Sequence, residues 1–426
     1  MPSITKYDKA AESSNPALPG RYSIVDAYIE KADGSTFDLF SKLARFNVYE
    51  SIHTMWLSAD FDIIDTSNLP KIAKLSGGEK IFVKTTDMRG EARNYEFILT
   101  AITNKQPKSA SSWSYKIHAV TENYFRAHLD LVSKSFVNKR PEQIIGRLLT
   151  DEMGFDTNRF FYAESAKNTC CIIPSWRATF AAKWLVTRAE SEQFDQSPWR
   201  LFMDINQDIY FVPLKLLYKS DYAREKSLYF QGNRKVEDLI SSRVLEHEFM
   251  FERLELSDSI SAISNLRDGL YVSEVESIDL ANRLQTSTTY NYADEFNEDD
   301  HLGNQPAEID GFDVVSPHYR TATSHLGLFS QDSSEDRNPV LSSIYDSKNQ
   351  QTKLLTIRGV LPASNRLRVG QKYKLDFPDY SDRRLDSPDE RISGDFLMET
   401  IKHSYGADSQ YRAIVQMYRD AFTRTS

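Results

Sequence analysis

From Arg21 onward, apolar and polar residues alternate with a period of two. Tyr22-Ser23-Ile24-Val25 opens the run, Asp33-Gly34 supplies a hairpin turn that accepts positive φ, and Phe37 to Phe40 follows. The same alternation predicts strands at Phe46 to Ser51, Trp56 to Asp62, Glu79 to Thr86, Tyr95 to Thr103 and Trp113 to Val120, while Asp65 to Leu69 is polar enough to read as a turn or one helical turn. Short strands separated by turn residues predict a barrel or sandwich. After Thr121 the period lengthens to about 3.6. Ile144, Ile145, Leu148, Leu149 and Met153 share one helical face, between Pro141 in a first turn and Gly154 as a left-handed stop. A second helix begins after Ser175 and spaces Trp176, Phe180 and Trp184 along one face, which predicts that the three rings pack in the core. A hairpin then joins Trp199 to Asp204 with Ile209 to Leu214.

Further on, Val236 to Ile240 reads as a short helix, Glu246 to Leu256 and Tyr271 to Leu280 as strands, and Ile260, Ile263 and Leu266 as a helical face between Ser257 and Gly269. From Gln285 to Ser347 the regular signals fade and polar residues dominate, which predicts an exposed insertion or arm. Its most acidic point is Asp294, Glu295, Glu298, Asp299 and Asp300. Such a cluster is ordinarily a solvated loop; its functional reading is a docking surface for a basic partner.

The chain regains order at Leu354 and closes on strands that repeat an earlier set. Gly78 to Lys84, Glu96 to Ile102 and Tyr115 to Val120 match Gly370 to Asp376, Asp395 to Ile401 and Tyr411 to Met417, with Gly78 aligned on Gly370, Phe97 on Phe396 and Tyr115 on Tyr411. The loops between them differ in length, as expected of an internal duplication. The pattern divides the chain into an amino-terminal tail (1–19), a first β-domain (20–122), an α+β block (123–217), a second β-domain built from 218–256 and 348–426, and an inserted domain or arm (257–347).

Composition narrows the function. The 426 residues carry a formal charge of −9, which argues against a surface that grips nucleic acid. No apolar run reaches membrane-spanning length, and Met1 to Gly20 lacks the apolar core of a signal peptide, so synthesis is expected to end in a cytoplasm. The two cysteines, Cys170 and Cys171, are adjacent and precede an apolar pair, which predicts reduced thiols. There is no GxSxG elbow, GxGxxG, phosphate loop or EF-hand, and His247-Glu248 lacks the second histidine of a zinc protease. No catalytic residue, cofactor or metal is expected. His318 and His325 lie seven apart in a stretch that disfavours a helix.

In order along the chain, Tyr49-Glu50-Ser51 with Asp62 to Leu69 and Gly77-Gly78-Glu79, Pro174-Ser175-Trp176 through Leu185 to Asp204, Gly269 to Ser273 with Ile278 to Leu280, and Leu367 to Gly370 through Asp420 resemble the central baseplate hub protein of contractile-tailed bacteriophages. That superfamily includes late-control tail proteins and the hub part of bacterial injection spikes. The insertion at 285–347 departs from it. The resemblance implies a β-rich α+β chain with two tail-tube-type antiparallel β-barrel domains, an α+β domain and an inserted arm or domain. It implies a homotrimer whose paired barrels present six modules to a hexameric tail tube or tube-initiator protein, a threefold spike protein on the other side, and contacts with baseplate wedge proteins. DNA would pass through without specific binding, the protein would reside in the virion tail baseplate after assembly in the host cytoplasm, and no integral membrane association is implied. Two other readings stand beside this one: a tail protein that binds or hydrolyses host-surface glycan or peptidoglycan, and the hub of a bacterial injection system.

Overall fold

The computed structural model describes residues 20–87, 90–109, 112–223, 227–230, 250–258, 261–279, 283–309, 311–312, 314, 318–324, 338–363, 365–379, 388–389, 391–406 and 408–423. The amino-terminal tail, the expected helix at Val236 to Ile240 and most of the charged loop after Pro378 lie outside them. The alternating segments form β1 (Tyr22–Glu30), β2 (Thr36–Asp38), β3 (Leu43–Ser51), β4 (Ser58–Asp65), β5 (Lys80–Asp87), β6 (Ala92–Ser109) and β7 (Ser112–Val120). All pair antiparallel, in the order β3-β4-β7-β6-β5-β1-β2. The polar turn at Asp65 is held by its own carboxylate, which accepts from the Ser67 and Leu69 backbone N–H groups and launches the one-turn helix α1 (Leu69–Ile72).

The 3.6-residue periodicity then yields α2 (Glu122–Arg126) and α3 (Pro141–Arg147), which continues as a π-helical turn, Leu148–Glu152. Around these lie a two-stranded ribbon of β8 (Val132–Lys139) with β10 (Thr169–Trp176), and a three-stranded sheet of β11 (Trp199–Met203), β12 (Ile209–Pro213) and β9 (Phe160–Tyr162). Helices α4 (Ala178–Val186) and α5 (Leu214–Tyr218) pack against them. The expected core packing of the three rings holds for Trp184 and for Trp176, which closes β10 instead of opening the helix, but not for Phe180. Ala178, Ala181, Ala182 and Leu185 are the buried face of the helix, Phe180 is 55% exposed, and Trp176 and Trp184 are half-buried. Small alanines let α4 sit close to the core, and of the three rings only Phe180 is turned outward.

The carboxyl-terminal half assembles β13 (Leu228–Phe230), β14 (Met250–Phe251), β15 (Arg253–Asp258), then β16 (Val272–Asp279), β17 (Leu284–Asn291) and β18 (His318–Ser324), and finally β19 (Leu355–Pro362), β20 (Lys372–Asp376), β21 (Gly394–Tyr405) and β22 (Tyr411–Arg419). Helix α6 (Ala262–Arg267) precedes β16 and α7 (Asn338–Gln351) precedes β19. The expected loss of regular structure after Gln285 does not hold either. β17 and β18 flank β16, and α7 lies beside that sheet around a separate core of Leu270, Tyr271, Val272, Tyr290, Tyr292 and Ile344. These strands read LQTSTTYN and HYRTATS. Threonine favours extended backbone without marking an apolar face, so hydrophobic alternation misses it.

Strand pairing reproduces the duplication. β15-β19-β22-β21-β20 repeats β3-β4-β7-β6-β5, with every neighbour antiparallel. Gly78 N–H donates to Leu99 O at 2.8 Å and Gly370 N–H to Met398 O at 2.8 Å; each glycine has positive φ (92° and 72°), and a β-bulge follows each acceptor residue. The third strand needs a correction: with Leu99 paired to Ala119 and Met398 to Met417, the counterpart of Tyr115 is Ala413, not Tyr411. The repeats are not independent units. β21 pairs with β3 from Thr400↔Ser51 to Tyr405↔Phe46, so both sets belong to one 14-stranded sheet, and among the described residues no sheet closes into a barrel. The expected pair of closed barrels is not seen among the described residues; the two repeats are joined, with a strand of one along the edge of the other.

One core position shows how the copies diverged. Phe61 has Gly359 as its counterpart, and there the ring of Phe251 fills the space; a Cβ on Gly359 would lie 2.3 Å from two of its ring atoms. Gly359→Ala is expected to lower stability by about 1–3 kcal/mol through overpacking, read as a shift in the urea midpoint.

Candidate functional site

The acidic residues of the insertion do not act as one group. Asp294, Glu295, Glu298 and Asp299 are exposed on the turn after β17, where the Asp294 carboxylate accepts from Asn291 Nδ2 at 2.7 Å. Asp300 faces inward and meets Lys215 Nζ and Lys219 Nζ of the α5 region, each at 2.8 Å. Burial opposes its ionisation, but the two ammonium groups together hold its carboxyl below the ordinary range. Asp300 is therefore already committed within the chain.

Next to it, His301 Nδ1 lies 2.7 Å from Asp420 Oδ2, Leu302 N–H donates to Asp420 Oδ1 and Tyr292 OH donates to Asp420 O. Gln305 and Phe422 exchange backbone hydrogen bonds. Lys348 of α7 sits over the Tyr290 ring, and burial followed by repulsion from Lys215 pushes its ammonium down to about 8. The cavity among Lys215, Asp300, His301, Lys348 and Asp420 is about 20 Å³, room for a single water. These contacts fasten the insertion to α5 and to the end of β22; they leave no space for a substrate.

A second polar cluster lies inside the joint between the repeats. Glu50 of β3 and His403 of β21 are wholly buried and face each other at 2.9 Å across the paired strands. Burial pushes Glu50 up to about 8, against the pull of Arg93, while burial and then Arg93 hold His403 well below its ordinary value. Both groups are thus neutral near pH 7. The contact is a hydrogen bond from the Glu50 carboxyl to His403 Nε2, and it leaves Nδ1–H to donate to Tyr411 OH at 2.6 Å. Arg93, also buried, donates to Asn365 O. Asp204, raised to about 7 by burial and then by Glu50, lies 3.5 Å from Arg368 and accepts from Asn206 and Asp208 N–H, shaping the β11–β12 turn. Strands from both repeats and the α+β segment meet here, around groups that no solvent reaches. Sequence reading missed this cluster because Glu50 and His403 are ordinary residues in separate strands; the one signal was their position on the apolar face of each strand.

Among the described residues no cluster of His, Cys, Asp and Glu could hold a metal ion. His318 falls in β18, a strand, and His325 lies outside the described residues. A shallow surface concavity of about 400 Å³ lies over β1 and β2, lined in part by Asp26, Glu30 and Asp38. The Asp38 carboxyl there is held low by the Ser41 hydroxyl, the reverse of what a general acid needs. Cys170 and Cys171 are free thiols. No helix among the described residues is long and apolar enough to cross a membrane.

No family model matches the sequence, and no curated protein matches it. Solved structures do. The 43 kDa tail protein of prophage MuSo2 from Shewanella oneidensis superposes with a TM-score of 0.56 at 8% identity, over 93% of this chain and 99% of that one. The tail protein from Neisseria meningitidis MC58 gives 0.53 at 10% identity, over 93% and 96%. The chain has the fold of these tail proteins over nearly its whole length.

Proposed function

We propose that the protein is a structural component of a phage tail: the trimeric central hub of a contractile-tail baseplate, which adapts a sixfold tube to a threefold spike and becomes a conduit for DNA. The observation that carries this reading is the duplicated strand order, with the same glycine turn and the same bulge in each copy. A chain that carries one module twice lets three molecules offer six equivalent modules, which is what an adaptor between threefold and sixfold partners requires. Two features support barrel-like modules at 20–122 and at 218–256 with 348–426. β14 pairs with β13 and β15 with β19, with only Glu252 between β14 and β15, so the strand order of the second repeat turns back toward its start. In the first, Gly20 and Tyr22 hydrogen-bond to the β21–β22 turn at Tyr411 and Ser409. The exposed residues Asp294, Glu295, Glu298 and Asp299 are proposed to meet a basic baseplate partner, with Asp300 fixing the turn that presents them. No catalytic activity is proposed.

The test is mass in solution. Sedimentation of the purified protein, alone or with its spike, is expected to give three times the chain mass; a monomer under both conditions overturns the hub. A second expectation concerns DNA. With a formal charge of −9 per chain, the protein is not expected to retard duplex DNA in a gel at about 150 mM salt, because counterion release needs clustered cations. A clear shift at that salt removes the conduit reading.

A further inference from the structure

The three-stranded sheet of the insertion ends on an unprotected strand. β17 pairs with β16 in unbroken register from Val272↔Asn291 to Asp279↔Leu284, and among the described residues no strand lies along its other side. Helix α7 packs on β16 and β18, while Leu284 to Ser287 and Thr289 of β17 are exposed. Open edges are ordinarily blunted by a charge, a proline, a bulge or a short length. β17 runs for eight residues, LQTSTTYN, with none of these devices. Other open edges differ: β18, across the same sheet, carries Arg320, β15 carries Arg253 and Glu255, and β2 is three residues long and carries Asp38. A threonine-rich extended strand with free edge groups is the form in which a sheet accepts a further strand.

The charges around this edge decide what kind of strand it takes. Glu274 and Glu276 of β16 lie on the face that Gln285, Ser287 and Thr289 share, opposite the buried face of Ser273, Val275 and Ser277. Just past Asn291 the chain turns through Asp294, Glu295, Glu298 and Asp299, all exposed. None of these six carboxylates is ion-paired with a described cation. Ser287 Oγ donates to Glu274 and Asn291 Nδ2 to Asp294, and Lys215 and Lys219 are taken by Asp300. We infer that the open edge of β17 takes up an extended basic segment of a partner protein as a fourth strand, with its Lys or Arg side chains over Glu274 and Glu276 and at the acidic turn. Main-chain hydrogen bonds supply the affinity, and the carboxylates select the partner. β18 carries a cation of its own, so the two edges of the sheet are not equivalent to a basic segment. This rests on the reading of the acidic turn as facing a basic partner and adds the mode of docking.

The experiment uses the full chain and a fluorescein-labelled peptide, Arg-Lys-Thr-Val-Thr-Val-Thr-Lys-Arg, followed at low salt by fluorescence anisotropy and by hydrogen exchange. Binding is expected to slow exchange across Leu284 to Thr289 at least about tenfold and to leave β18 unchanged. N-methylation of alternate residues leaves one edge of the peptide intact and is expected to preserve binding. N-methylation of all its central residues removes both edges and is expected to weaken binding at least about tenfold. The double variant Glu298→Lys/Asp299→Lys, at two exposed positions, is expected to weaken it likewise, and added salt to do the same. Binding that the double variant weakens but that leaves exchange in β17 unchanged overturns the strand docking and keeps the acidic turn as a surface for a basic partner. Binding that neither responds to the double variant nor protects β17 overturns both, as does no binding at up to about 1 mM peptide. A Thr286→Lys variant that loses the oligomeric state of the wild type places a second copy on this edge and also overturns the proposal.

Discussion

Glu50→Ala is expected to cost about 2–5 kcal/mol, since it opens a cavity at a fully buried position and leaves His403 Nε2 without its donor. Glu50→Gln keeps a donor of similar shape and is expected to cost about 1 kcal/mol. The pH dependence separates the two further. The folded Glu50 carboxyl is raised from 4.5 to about 8, so its contribution to stability is complete below the unfolded value and is lost as the pH climbs through the folded one. His403 has the opposite sign: its folded value is depressed, so its contribution is complete above 6.5 and is lost as the pH falls. Asp204, raised from 3.8 to about 7, loses its share earlier than Glu50. Melting temperatures of the wild type are therefore expected to decline between about pH 6.5 and 8 and to level off above that, with the decline reduced in Glu50→Gln. Parallel profiles for the two proteins would show that Glu50 is already ionised in the fold.

Tyr405→Ala is expected to be comparably severe, at about 3–5 kcal/mol. The ring belongs by sequence to β21 but fills the core of the first repeat. It stacks on Phe46 and on Tyr411, both at 4.2 Å between centroids, meets Tyr22 edge-on at 5.0 Å, and its hydroxyl lies 2.6 Å from that of Tyr95. Removing it leaves a void lined by aromatic faces and a buried tyrosine hydroxyl with its partner gone. Tyr405→Phe removes only the hydrogen bond and is expected to cost about 1 kcal/mol. Because the ring bridges the repeats, hydrogen exchange is expected to speed up in β3 and β21 together in Tyr405→Ala. Loss of protection in β21 with β3 unchanged would show that the repeats fold as separate units.

Both effects arise at the same place, and that bears on assembly. The ring proposed above would need its intrachain joint to be rigid, since slack between modules would be multiplied around it. The buried Glu50–His403 contact and the Tyr405 stack fix that joint by shape and hydrogen bonding, with no charge pair for salt to screen.

What the sequence determined by itself was local. Alternation located the strands of the first repeat, with ends within one residue at β5 and β7 and up to six residues short at β6, and the paired glycines and phenylalanines exposed the duplication, because a β-bulge and a positive-φ turn are built from neighbouring residues and leave their mark in composition and spacing. The Thr-rich strands of the insertion escaped, since β-branched polar residues hide an apolar face. The outward turn of Phe180 escaped for a related reason: periodicity shows that residues share a helical face, and only the packing of the alanines decides which side of the helix is buried. The tertiary structure alone decided the fusion of the repeats through β3 and β21, the filling of the Gly359 space by Phe251, and the meeting of Glu50 with His403 from opposite ends of the chain. Each of these depends on where a strand edge is left open once its own neighbours are placed, and no window of adjacent residues contains that information.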